Sequence, residues 1–151
     1  MRRAAGVAET EPRAEDDVPC GRRVLAVLEC QASDDAVLER ALDVVARSGG
    51  YLTVVAVVPS SPSWLHCGPY CVPHAREEEM RACASRALAR AALQIPPEVP
   101  LLTGIETGRI ADVIARRVDA AAHDLVVVGR RSLALRKSSR STPAAVLVVA
   151  H

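Results

Sequence analysis

Five cationic side chains and four serines crowd the segment GRRSLALRKSSRSTP, which opens on Gly129 and holds Arg130, Arg131, Ser132, Arg136, Lys137 and Arg140 without an acidic residue. Guanidinium groups bind phosphate oxygens in pairs, so the chemistry these types could do is anion binding. A strand that stops at a glycine and gives way to a basic, serine-rich turn resembles the way open α/β sheets meet phosphates, at the carboxyl ends of strands. A second group, His66, Cys67, Cys71 and His74, sets two thiols and two imidazoles within nine positions. These are the ligand types zinc prefers. Zinc loops more often use C-x2-C and H-x3-H with a longer interval, and Pro69 and Pro73 restrict the wrap. The spacing therefore favours an inert variable loop, with zinc binding and thiol redox chemistry as alternatives. No serine or cysteine has a His and Asp partner at motif spacing, so nucleophilic catalysis has no support.

The elements that must position these groups alternate between two periods. Residues 24–28, 52–58, 125–128 and 146–149 are short, continuous apolar runs, as expected for parallel strands covered on both faces. Between the first two, Ser33, Asp34 and Asp35 form a helix start, with a capping hydroxyl and two carboxylates at the positive end of the dipole. Val37, Ala41, Val44 and Val45 recur at helical spacing, and Gly49-Gly50 stops that helix. Pro73–Gln94 reads as a second amphipathic helix, with Met80, Cys83, Ala87, Leu88 and Ala91 on one face. Cys83 is expected there as a small core residue. A weaker strand at residues 101–105, preceded by Pro100 and interrupted by Gly104, belongs at a sheet edge. Thr107-Gly108 opens a third helix with Ile110, Val113, Ile114 and Val118 as its buried stripe. Arg109, Arg116 and Arg117 are expected on its solvated face, and His123 as a helix-end or surface histidine.

At 151 residues, half of them hydrophobic, the chain suits one domain with an adequate core. Residues 1–20 carry five acids and almost nothing to bury, the composition of a solvated, disordered tail, which leaves 21–151 as the folded domain. A net charge of +1 argues against a general polyanion binder, and 2% aromatic content against base stacking on nucleic acid. There is no run of eighteen apolar residues and no apolar segment of signal-peptide type at the amino terminus. The expectation is a cytoplasmic protein with neither membrane nor nucleic-acid partner.

Three stretches carry a family resemblance over residues 22–150. HDLVVVGRR followed by STPAAVLVVA resembles the fourth and fifth strands of the universal stress protein family. ETGRIADVIARRVDAAAHDLVVVG is similar to its third helix running into strand four. VLAVLECQASDDAVLERALDVVARSGGYLTVVAVVP is similar to its strand one, helix one and strand two. The resemblance implies an open, mostly parallel five-stranded twisted α/β sheet in the order 3-2-1-4-5, with helices on both faces. It places a nucleotide cleft between the ends of strands one and four, framed by Leu28, Glu29, Val57, Gly129, Arg130, Arg131, Ser132 and Lys137.

The departures from that family decide what the cleft can hold. Members that hold ATP carry G-x2-G-x9-G followed by Ser or Thr; here Gly129 supplies the first glycine, Ser132 stands at the second, and Thr142-Pro143 at the closing pair. Glycines let the backbone bring its amides onto a phosphate, and a following helix adds its dipole. Residues 130–145 just meet the dozen or so a parallel crossover needs, so the fourth helix is expected to shrink to one turn near Leu133 to Arg136. Glu29 stands where the family has Asp, either at the base of the cleft or as a solvated strand-end carboxylate, and Cys30-Gln31 replaces the common Gly-Ser.

Two functions follow from these readings. The first is a non-enzymatic stress-response or regulatory module with ATP binding lost or weakened, its client proteins unspecified by the sequence. The second is an ATP or AMP switch with slow hydrolysis, in which the basic loop replaces the glycine motif. The last strand, Val146, Leu147, Val148 and Val149, would be an exposed edge of unpaired amides, a hazard unless covered. The resemblance implies that a second copy covers it, giving a homodimer.

Overall fold

The computed structural model describes residues 22–59, 73–129 and 145–149. The expected solvated tail, and the expected crossover with one helical turn near Leu133 to Arg136, lie outside the described residues. The described residues form, in chain order, β1 (Arg23–Leu28), α1 (Asp34–Ser48), β2 (Tyr51–Val58), α2 (Pro73–Gln94), β3 (Leu101–Thr107), α3 (Ile110–Ala121), β4 (Leu125–Gly129) and β5 (Ala145–Val149). The strands form one parallel sheet in the order β3-β2-β1-β4-β5. The chain winds outward from β1 through β2 to β3, then returns to the other side of β1 for β4, so the strand order reverses between β1 and β4.

The continuous apolar runs are explained by burial from both sides. Along β1, Val24, Ala26 and Leu28 pack with α1 and α2, while Leu25 and Val27 pack with Val113, Ile114 and Val118 of α3. Alternate residues face opposite ways in a strand, so a strand inside two helical layers has no polar face to show. Gly49, at φ 68°, closes α1 and donates its N–H to the Val45 carbonyl at 2.9 Å, the left-handed cap expected of Gly49-Gly50.

Three local expectations are corrected. β3 runs two residues beyond 105, through Thr107, and α3 begins at Ile110 instead of at Thr107-Gly108. Parallel pairing continues from Ala56↔Ile105 to Val58↔Thr107, which keeps those residues extended. Arg117 is not on a solvated face: it is half-buried, lies over Gly104, and donates Nε–H to Glu106 Oε1 at 3.0 Å. A Cβ at Gly104 would come within 2.7 Å of the Arg117 guanidinium, so the glycine leaves the room that guanidinium occupies.

The third correction concerns His123, which stands at the end of α3 as expected of a helix-end histidine, but is buried, only 4% exposed, and not at the surface. Its Nδ1 lies 3.1 Å from the Arg117 carbonyl and its Nε2 2.9 Å from Thr53 Oγ1. A carbonyl only accepts, so Nδ1 carries the proton and neutral Nε2 accepts from the threonine hydroxyl. Burial pushes the His123 pKa down from 6.5, with the nearby guanidinium groups of Arg117 and Arg23 acting in the same direction. The unfolded chain therefore binds this proton more readily, and the stabilisation is complete above pH 6.5 and lost as pH falls through the depressed value. Urea titrations between about pH 7.5 and about pH 5 should show stability falling on the acid side. His123→Gln should flatten that slope; an unchanged slope would assign it to another group.

Candidate functional site

The carboxyl ends of β1 and β4 meet at the reversal of strand order, where open α/β sheets place their ligands. The turn leaving β1 is held by the side chain of Asp34, the first residue of α1. Its Oδ1 accepts the Glu29 N–H at 3.0 Å and its Oδ2 the Gln31 N–H at 3.2 Å, and the Cys30 N–H adds to the same carboxylate. Burial raises the Asp34 pKa above 3.8, and the three amide hydrogen bonds oppose that rise. Ser33 occupies the cap position but makes no capping hydrogen bond through its side chain. The carboxylate thus takes the role expected of the hydroxyl, serving the turn that precedes the helix instead of the helix itself.

This arrangement has an electrostatic consequence. Three successive amides curled around one point form an anion-binding nest. Here the occupant is the chain's own carboxylate. The Ser33 hydroxyl sits against β4, and a Cβ at Gly129 would come within 2.7 Å of Ser33 Oγ. Gly129 therefore also lets the β1 turn approach β4, apart from any part in a phosphate loop.

Behind the turn, between β1, the start of α1 and the middle of α2, lies a cavity of about 380 Å³. Leu28, Leu38, Ala87 and Ala91 supply apolar wall, Cys30 and Cys83 two thiols, and Asp34, Asp35, Arg86 and Arg90 charge. Arg90 reaches Asp35 at 3.3 Å, an exposed pair of small energetic weight. The volume suits a small organic ligand.

Of the residues expected to frame a nucleotide, Leu28 lines this cavity and Glu29 is half-buried in the turn above it. Gly129 ends β4 beside Ser33. Val57 is buried with the α3 cluster on the opposite face, away from the cavity. Arg130, Arg131, Ser132 and Lys137 lie outside the described residues. So do His66, Cys67, Cys71 and the side chain of His74; among the described residues no group of three or more His, Cys, Asp or Glu could hold a metal ion. The edge residues Val146, Leu147, Val148 and Val149 pair with β4 on one side and are partly buried. No helix among the described residues is long and apolar enough to cross a membrane.

Sequence reading missed the Asp34 clamp and the meeting of Cys30 with Cys83. The clue to the first was three acids, Glu29, Asp34 and Asp35, around one turn. The second joins residues distant in sequence and had no local signal.

A family model described as the Universal stress protein family matches residues 21–150. Among solved structures, a universal stress family protein from Burkholderia pseudomallei is 21% identical and superposes with a TM-score of 0.70, over 84% of this chain and 94% of that one. The universal stress protein UspA from Lactobacillus plantarum is 18% identical with a TM-score of 0.69, over 86% and 98%. A universal stress protein crystallised in complex with cAMP is 18% identical with a TM-score of 0.61, over 87% and 98%. No curated protein sequence matches this chain.

Proposed function

Because the chain belongs to the universal stress protein family, we propose that it is a dimeric, non-enzymatic regulatory module of stress response in which ATP binding is lost or weakened. The observation that carries this reading is the Asp34 carboxylate seated on the amides of the β1 turn. It occupies the amides that an anion would otherwise receive at the end of β1. The sequence adds its own support, since Ser132 and Thr142-Pro143 stand at the glycine positions that would otherwise cradle the phosphates. The β5 edge, apolar and partly buried, is the surface a second copy would cover.

One observation favours a second reading. The cavity beneath the β1 turn has the volume and apolar lining of a small-ligand site, and one structural relative was crystallised with cAMP. In that reading the chain is an ATP or AMP switch, with Arg130, Arg131 and Lys137 replacing lost backbone contacts by charge.

Calorimetric titration with ATP and Mg²⁺, and with AMP, on a sample whose mass is followed by light scattering separates the two. The first reading expects a dimer and no heat up to millimolar nucleotide. Micromolar binding that disappears in an Arg130→Ala, Arg131→Ala variant would establish the switch, and a stable monomer would remove the dimer from the proposal.

A further inference from the structure

Two thiols, Cys30 and Cys83, line the same cavity, one in the turn that follows β1 and the other in the middle of α2. Each thiol lies in the other's electrostatic surroundings. Cys30 is held at φ 57°, in the left-handed region that side chains with a Cβ avoid. A glycine there would be free of that strain, so what the cysteine contributes is its thiol, on the cavity that Cys83 also lines. Strained backbone of this kind concentrates at functional positions.

We propose that Cys30 and Cys83 are a redox-active dithiol that a hydroperoxide converts to an intramolecular disulfide across the cavity wall. One sulfur, deprotonated, attacks the terminal peroxide oxygen; the O–O bond breaks, a sulfenic acid forms, and water or an alcohol leaves. The second sulfur displaces the sulfenic oxygen, which departs as water with the remaining thiol proton. Two thiols and one hydroperoxide thus give one disulfide, one water and one water or alcohol, with two electrons passed to the peroxide. Burial and the neighbouring Cys83 push the Cys30 thiol up to about 12, while Arg86 opposes that shift. The resting pair is therefore slow to react, and the disulfide gains none of the oxidising character that a stabilised thiolate confers. Once formed, the bond ties β1 to α2 through a loop of roughly fifty residues, which restricts the unfolded chain more than the folded one.

The test uses the full chain with Cys20, Cys67 and Cys71 replaced by serine, reduced and then exposed to hydrogen peroxide in its folded state. The expected result is loss of both titratable thiols, loss of the mass of two hydrogens, and a cross-linked peptide joining Cys30 to Cys83. All three should reverse with dithiothreitol, and the oxidised form should melt several degrees higher. Retained thiols, or sulfinic acid at either position, would overturn the proposal. If the triple substitution fails to fold, the unaltered chain is mapped in the same way. A Cys30 to Cys83 peptide then supports the proposal, and disulfides formed only elsewhere refute it.

Discussion

Gly50→Ala is expected to remove about 4 kcal/mol or more of folding stability, the range reserved for severe steric conflict, while its neighbour Gly49→Ala loses about 1 kcal/mol. An ideal Cβ on Gly50 would sit 1.7 Å from the Arg22 carbonyl oxygen, 2.6 Å from its carbon and 2.8 Å from the Arg22 nitrogen. All three are backbone atoms, so no side chain can swing aside to make room. Relief requires parting the chain at the entry to β1 and β2, where Tyr51 N–H donates to the Arg22 carbonyl at 3.2 Å and Arg23 pairs with Tyr51. Those two strands lie at the centre of the sheet, and a domain of this size has only about 5–15 kcal/mol in total. Gly49 has nothing within 4 Å of its Cβ position and is constrained only by its φ of 68°. Urea denaturation followed by far-ultraviolet circular dichroism would compare the pair. Similar midpoints for the two variants would show that the β1 and β2 entry has slack the structure does not display.

That pair illustrates what the sequence made legible and why the rest was not. Gly49-Gly50 reads as one helix stop, and for Gly49 this is what the structure shows. The demand on Gly50 comes from a strand lying beside it, a contact no local pattern encodes. The same division runs through the molecule. The run Val24, Leu25, Ala26, Val27, Leu28 announced a strand buried on both faces, because burial acts on each residue separately. The helical stripes of α1 and α3 were legible for the same reason. The strand order came from likeness to a family, not from periodicity. Pairwise and directional features stayed hidden: His123 bridging Arg117 and Thr53, Arg117 held by Glu106 over Gly104, Cys30 against Cys83. Each depends on which polar atom points where after the chain has folded. The end of β3 was misplaced because Thr107-Gly108 read as a helix start, when pairing with β2 keeps Glu106 and Thr107 in the strand.

Asp34→Ala is expected to cost about 2 kcal/mol, from losing charge-assisted hydrogen bonds to the amides of Glu29 and Gln31. The loss is held down by an opposing effect. Burial raises the Asp34 pKa above 3.8, so desolvation alone makes the ionised clamp less favourable as pH rises through the folded value. Asp34→Asn keeps one acceptor and sheds the buried charge, so it should lose less than half as much as Asp34→Ala. The alanine variant also vacates the nest formed by the β1 turn, and amides released there are free for an external anion. Pyrophosphate and ATP titrations should therefore show binding to Asp34→Ala that is stronger than to the parent chain and weakens with salt. A folded Asp34→Ala protein with no gain in anion binding would mean that the Asp34 carboxylate does not close these amides to an external anion. The proposed weakening of ATP binding would then rest on the missing glycines after Gly129.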